Sequence, residues 1–169
     1  MPVITTSVVT PNLTATRTSA DGVGSPGLGT IVNTTDGGVA IYVRAMSTVA
    51  QYDAVVIVNT ASATGATIAV APITTTNAAT GARIGFAQTA LASGEYGWVY
   101  TSGNNLRVKT LIACQPAVPL FTTATAGSLD DTTVTAGYCL GVVLMSSATS
   151  ASAPPCTAGN TVVRTWGGG

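Results

Sequence analysis

The chain has 169 residues, and only 7% of them are charged, against about 25% in an average globular protein. Six Lys and Arg residues balance six Asp and Glu residues, and histidine is absent, which argues against the basic patch that nucleic-acid binding requires. Because catalysis uses acids, bases and nucleophiles at tuned pKa values, the composition predicts neither an enzyme nor a cofactor site.

Residues 1–38 differ in composition from the rest of the chain. They are rich in Thr, contain Pro2, Pro11 and Pro26, and hold a dense Gly and Pro stretch over 21–29, which disfavours helix. The segment therefore predicts an extended N-terminal arm, followed by a β-rich domain over 39–169. The apolar residues of the arm, which predict that it lies on a partner surface, are Val3, Ile4, Val8, Val9, Leu13, Ile31 and Val32.

From Val39 onward, short β-branched runs are separated by turn residues, without a long segment of period 3.6. This pattern predicts an all-β fold, a small antiparallel β-barrel or a β-sandwich. A hairpin at Ser102–Asn105 is predicted because Gly and Asn tolerate positive φ. Arg44–Ala50 is compatible with a helical turn, and Ser128–Asp131 with a turn or short helix. The predicted strands are 39–43, 54–58, 67–71, 83–87, 96–101, 106–110, 118–122, 139–145 and 161–166.

Three motifs resemble those of ligand-binding or catalytic sites, but each lacks the neighbouring residues that such a site requires. The G-x-G-x-x-G match at 22–27 has neither a preceding apolar strand nor a following helix, as dinucleotide binding requires. Asp130 and Asp131 are adjacent, so on an extended chain their carboxylates point to opposite sides, which predicts a solvated turn. Without histidine, a Ser or Thr nucleophile has only Lys109 or a carboxylate as its base. No catalytic, metal or small-molecule site is predicted.

The cysteines Cys114, Cys139 and Cys156 show no CxxC spacing and have no histidine to complete a zinc site. Cys114 and Cys139 lie in apolar runs and predict buried free thiols. A single disulfide that includes Cys156 is the alternative.

Neither the apolar runs nor the cations predict a further partner. The longest apolar runs, 54–58 and 140–145, are far shorter than the ~20 residues of a membrane span, and the N-terminus lacks the features of a secretion signal. Arg107 and Lys109, at spacing two, predict one exposed polar strand face.

The aromatic residues are the best candidates for contacts. Tyr96, Trp98 and Tyr100 have spacing two on one predicted strand and so share a face. The face either packs in the core or anchors an interface, where Trp and Tyr are enriched. Trp166, before a glycine tail, offers the same two alternatives.

The segment from Ile84 to Tyr100, IGFAQTALASGEYGWVY, resembles a pattern of tailed-phage head proteins. A turn at Thr125–Asp131 and the strand CLGVVL at Cys139–Leu144 continue the pattern. The resemblance covers about residues 80–166 and is to the capsid decoration, or cement, proteins of bacteriophages.

The resemblance implies a structural virion protein that binds the outer surface of the capsid across junctions of the major capsid protein. It also implies a homotrimer, which agrees with the low charge, because a surface with few charges is poorly soluble unless it is covered. The arm, with Trp98 and Trp166, is the predicted contact surface. The alternative function is a glycan-binding phage fibre or surface-adhesion module, with an exposed Trp98 or Trp166 stacking on sugar.

Overall fold

The computed structural model describes residues 13–18, 26–62, 65–132 and 137–164. Over these residues the chain forms ten strands and no helix, which confirms the all-β prediction. Arg44–Ala50 is not a helical turn, since β2 continues to Ala45 before the chain bends. Within the described ranges, no helix is available that could cross a membrane. The strands are β1 Ile31–Asn33, β2 Val39–Ala45, β3 Ala54–Ser62, β4 Gly65–Pro72, β5 Arg83–Phe86, β6 Tyr96–Arg107, β7 Leu120–Thr122, β8 Leu129–Asp130, β9 Tyr138–Leu144 and β10 Pro155–Arg164.

All ten strands belong to one sheet, ordered β1-β2-β4-β3-β5-β6-β10-β9-β7-β8. Because β6 also pairs with β2, five strands of the sheet form a hydrogen-bonded ring. The pairing of β2 with β4 is parallel, through Arg44 with Ala69 and Ala45 with Val70. Among the strand pairs of the described residues, this pair is the exception to the predicted antiparallel arrangement.

The predicted hairpin at Ser102–Asn105 is wrong, because β6 continues through it as one strand. Up to Ser102 the strand pairs with β2, and from Gly103 it pairs with β10. The φ angles of Gly103 and Asn105 are 152° and 59°. Residues that tolerate positive φ suit a bulge as well as a turn, and here the irregularity lets one strand change partner.

Both faces of β2 and β3 are buried, because alternate side chains enter different parts of the core. Ile41, Val43 and Ala45 of β2 meet Val55 and Ile57 of β3 in one cluster inside the ring. Burial on both faces explains why these strands read as continuous apolar runs in the sequence.

A second and larger cluster joins the outside of the ring to the C-terminal strands. Val56 and Phe86 of the ring pack with Leu120, Leu144 and other residues of β7–β10. The ring and the C-terminal strands therefore share a core, and β10 is attached to β5 and β6 by pairing as well as by packing.

Candidate interaction surface

The aromatic face predicted for β6 lies on the outer side of the ring. Trp98 packs at 5.1 Å from Tyr42 between ring centroids, and Tyr96 stacks on Tyr42 at 6.4 Å. Trp98 and Tyr42 are buried, at 5% and 1% exposure. The predicted shared face of Tyr96, Trp98 and Tyr100 is confirmed, since all three join one cluster with Tyr42.

Parts of the N-terminal arm cover this cluster. Leu13, Leu28 and Val32 pack against it. Arg17 and Tyr96 exchange two backbone hydrogen bonds, of 2.9 and 2.7 Å, and the Gly29 N–H donates to the Tyr42 carbonyl at 2.8 Å. The described arm residues therefore lie on the domain of their own chain.

The predicted contact residues do not form one exposed patch. Ile31 is 60% exposed and Trp98 is buried, while Leu13 and Val32 are half-buried. Val3, Ile4, Val8, Val9 and Trp166 lie outside the described residues. A contact role for all these residues stays a prediction.

The sequence prediction missed exposed apolar side chains on β9 and directly after it. Leu140, Val143 and Met145 are 43%, 46% and 57% exposed. Their strand reads as a continuous apolar run, LGVVLM, which is typical of a strand buried on both faces. Gly141 is the one residue of this run without a side chain, and its positive φ of 90° shows that the strand is irregular at this position.

The Tyr42 hydroxyl has no hydrogen-bond partner among the described residues, although it is fully buried. An unpaired buried hydroxyl costs about 1–3 kcal/mol. We expect Tyr42→Phe to keep the aromatic packing, remove this cost and raise the melting temperature. Tyr42→Leu, which removes the packing as well, is the control and should lower it. A lower melting temperature for Tyr42→Phe in thermal unfolding would contradict the unpaired state of the hydroxyl.

Arg107 and Lys109 do not form the simple polar face predicted from their spacing. The Lys109 ammonium Nζ is 2.7 Å from Asp53 Oδ1, and the Asp53 side chain is 5% exposed. Asp53 Oδ2 also accepts a hydrogen bond from the Ala50 N–H at 2.8 Å. The Arg107 guanidinium lies 5.8 Å from the centroid of the Tyr52 ring. Lys109 therefore neutralises a buried carboxylate and is engaged in a structural contact.

Asp130 and Asp131 converge, contrary to the sequence prediction, because the chain bends directly after β8. One ligand atom from each lies within 4.8 Å of the Cys114 sulfur and of the other. The Cys114 thiol donates to Asp130 Oδ1 at 3.4 Å, and Asp131 Oδ2 accepts from the Gln115 N–H at 2.7 Å. These hydrogen bonds hold the two carboxylates beside the thiol.

All three cysteines are buried and free, so the predicted free thiols are confirmed for Cys114 and Cys139, and the Cys156 disulfide is wrong. Burial raises the pKa of Cys114 to about 11 and those of Cys139 and Cys156 to about 12. Since the thiolate is the reactive form, we expect no thiol to react with an aromatic disulfide reagent at pH 8 in the native protein. All three should react in denaturant. Rapid labelling of the native protein would contradict this burial.

No protein-family model matches the chain, and no curated protein sequence matches it either. Among solved structures, the chain is similar to the crystal structure of the head fibre gp8.5 N base in bacteriophage phi29. The TM-score is 0.50 at 15% sequence identity, over 74% of this chain and 97% of the other. The likeness shows a shared fold, and it includes nearly the whole of the phage protein's base.

Proposed function

We propose that this chain is a structural protein of a tailed-phage virion, which decorates the outer surface of the head and stabilises it across junctions of the major capsid protein. It acts by binding and not by catalysis. Each copy makes a modest contact, and repetition under the symmetry of the shell makes the whole assembly stable.

The observation that carries this proposal is the fold shared with the base of a phage head fibre, over 97% of that chain. The pattern at Ile84–Tyr100 points independently to phage head proteins. The low charge supports the same function, since a surface with 7% charged residues in the chain suits permanent contact with other proteins.

The glycan-binding alternative depends on an accessible tryptophan. Trp98 is 5% exposed, and Leu13, Leu28 and Val32 of the arm pack against the cluster that contains it. A sugar ring has no access to its face in this conformation, so Trp98 does not support the glycan-binding alternative, and Trp166, its other candidate, lies outside the described residues.

The test is binding of the purified chain to heads of the phage that encodes it, prepared without this protein. We expect saturable cosedimentation with the heads, at a copy number that matches a symmetry of the shell, and a higher temperature of head disruption. Heads that already carry the protein are the matched control, because their sites are filled. A chain that stays monomeric and does not sediment with the vacant heads would refute the proposal.

A further inference from the structure

The outer face of β9 and β10 is apolar at its centre. Of the six large hydrophobic side chains that are exposed among the described residues, three lie together here: Leu140 and Val143 of β9, and Met145 directly after it. Pairing extends this face onto β10, where Leu140 lies opposite Val162 and Val143 opposite Thr157. Directly opposite residues of an antiparallel pair share a face of the sheet, so the apolar side chains are neighbours.

Three arginines border this apolar centre. Arg83 of β5 pairs with Val162, and Arg164 follows Val162 by two positions on the same strand, which places both on the face of Val162. Arg107 of β6 pairs with Pro155 at the other end of β10. All three arginines are exposed.

None of these arginines forms an ion pair with a carboxylate among the described residues. The ion pair found there joins Lys109 to Asp53. The other carboxylates of the described residues have partners elsewhere: Asp36 accepts from Thr34, Glu95 from the Ala92 N–H, Asp130 from the Cys114 thiol and Asp131 from the Gln115 N–H. In a chain of zero net charge, the face of β9 and β10 is therefore positive.

A hollow of about 170 Å³ opens beside Arg83. Ile84 and Val162 form its apolar wall, and Thr101 and Thr161 complete it. Arg83 lines this hollow together with the apolar residues, and such a combination suits a carboxylate at the end of a short apolar stem, as in a Glu or Asp side chain.

We propose that the face of β9 and β10 is the surface by which this chain docks on the phage shell, and that the matching shell surface presents carboxylates around an apolar patch. One of these carboxylates enters the hollow at Arg83. The inference rests on the proposed head-binding function and adds to it the location of the surface and the chemistry of the partner.

The combination of groups favours a protein partner over a polyanion. Nucleic acid binding draws its affinity from many phosphate contacts, whereas this face offers three arginines around an apolar centre. Interface centres in proteins are apolar and depleted of charge, and arginine is enriched among their contact residues.

The test uses the vacant phage heads described above and the double variant Arg83→Glu/Arg164→Glu. The control is Arg44→Glu, a charge reversal beside Tyr96 on β2, outside both the arm and the face of β9 and β10. We expect the first variant to bind the heads at least about tenfold more weakly than the unmodified chain, and the control to bind within about twofold. Binding of the unmodified chain should weaken as NaCl is raised.

The outcomes separate this surface from the function as a whole. Equal binding by the unmodified chain and Arg83→Glu/Arg164→Glu refutes the surface and leaves head binding intact, whereas no binding by any chain refutes both. A changed oligomeric state of the variant with unchanged head binding shows a contact between copies and refutes the surface. If circular dichroism shows that the variant is unfolded, Arg83→Gln/Arg164→Gln replaces it, with the same expected direction and the same refuting result.

Discussion

Replacing Gly141 with alanine is expected to lower the free energy of unfolding by about 3 kcal/mol or more. Gly141 has a φ of 90°, which a residue with a Cβ adopts only with strain. A Cβ at this position would also lie 2.4 Å from the carbonyl oxygen of Gly159. Because that oxygen belongs to the backbone of the paired strand β10, no side-chain rotation relieves the overlap.

Gly81→Ala is the matched control, since Gly81 has a φ of 85° but nothing within 4 Å of an added Cβ. We expect Gly81→Ala to lower the free energy of unfolding by about 1 kcal/mol, because only the backbone conformation opposes the added Cβ. Urea unfolding of both variants, followed by circular dichroism, measures the difference. Equal losses would show that β10 moves away from Gly141 freely, and would contradict the tight pairing described for these strands.

The irregular pairing at Gly141 also shapes the proposed docking face. The register of β9 with β10 shifts between Ala158 and Val162, and Gly141 lies at this shift between Leu140 and Val143. Three residues of β10, 159–161, lie opposite the single residue Gly141, and Leu140, Gly141 and Val143 are all exposed, so the bulge keeps apolar residues on the outer face on both sides of the irregularity.

The sequence predicted the existence of the main strands but not their partners. β2 and β3 were found because their β-branched runs are long and bounded by turn residues. The partner change within β6 was not found, since Gly103 and Asn105 have the same local preferences in a hairpin turn and in a bulge. Which alternative forms is decided by β10, which is distant in the sequence.

The candidate surface was predicted only in part, for a similar physical reason. The pattern at β6 identified the shared face of Tyr96, Trp98 and Tyr100, yet the covering of that face by Leu13 and Val32 is a tertiary contact. A local pattern shows which side chains share a face and does not show what lies opposite it.

Trp98→Ala is expected to lower the free energy of unfolding by about 3–5 kcal/mol, as for other buried aromatic truncations. The indole packs on Tyr42, and apolar residues of the arm pack against the same cluster, so its loss leaves a cavity in the cluster that the arm contacts. We therefore expect the arm to detach more often than the domain unfolds. Urea unfolding measures the loss in stability, and trypsin cleavage after the exposed Arg17 measures detachment of the arm.

Trp98→Phe is the control, because it retains an aromatic ring against Tyr42 and should lose less stability and release the arm less. Urea unfolding reports the loss of stability of the domain, and cleavage after Arg17 reports the detachment of the arm. If Trp98→Ala unfolds earlier in urea while native-state cleavage after Arg17 keeps the rate of the unmodified chain, Trp98 supports the ring and not the arm. Faster cleavage after Arg17 in Trp98→Ala than in Trp98→Phe assigns the indole as the group that holds the arm on β2 and β6.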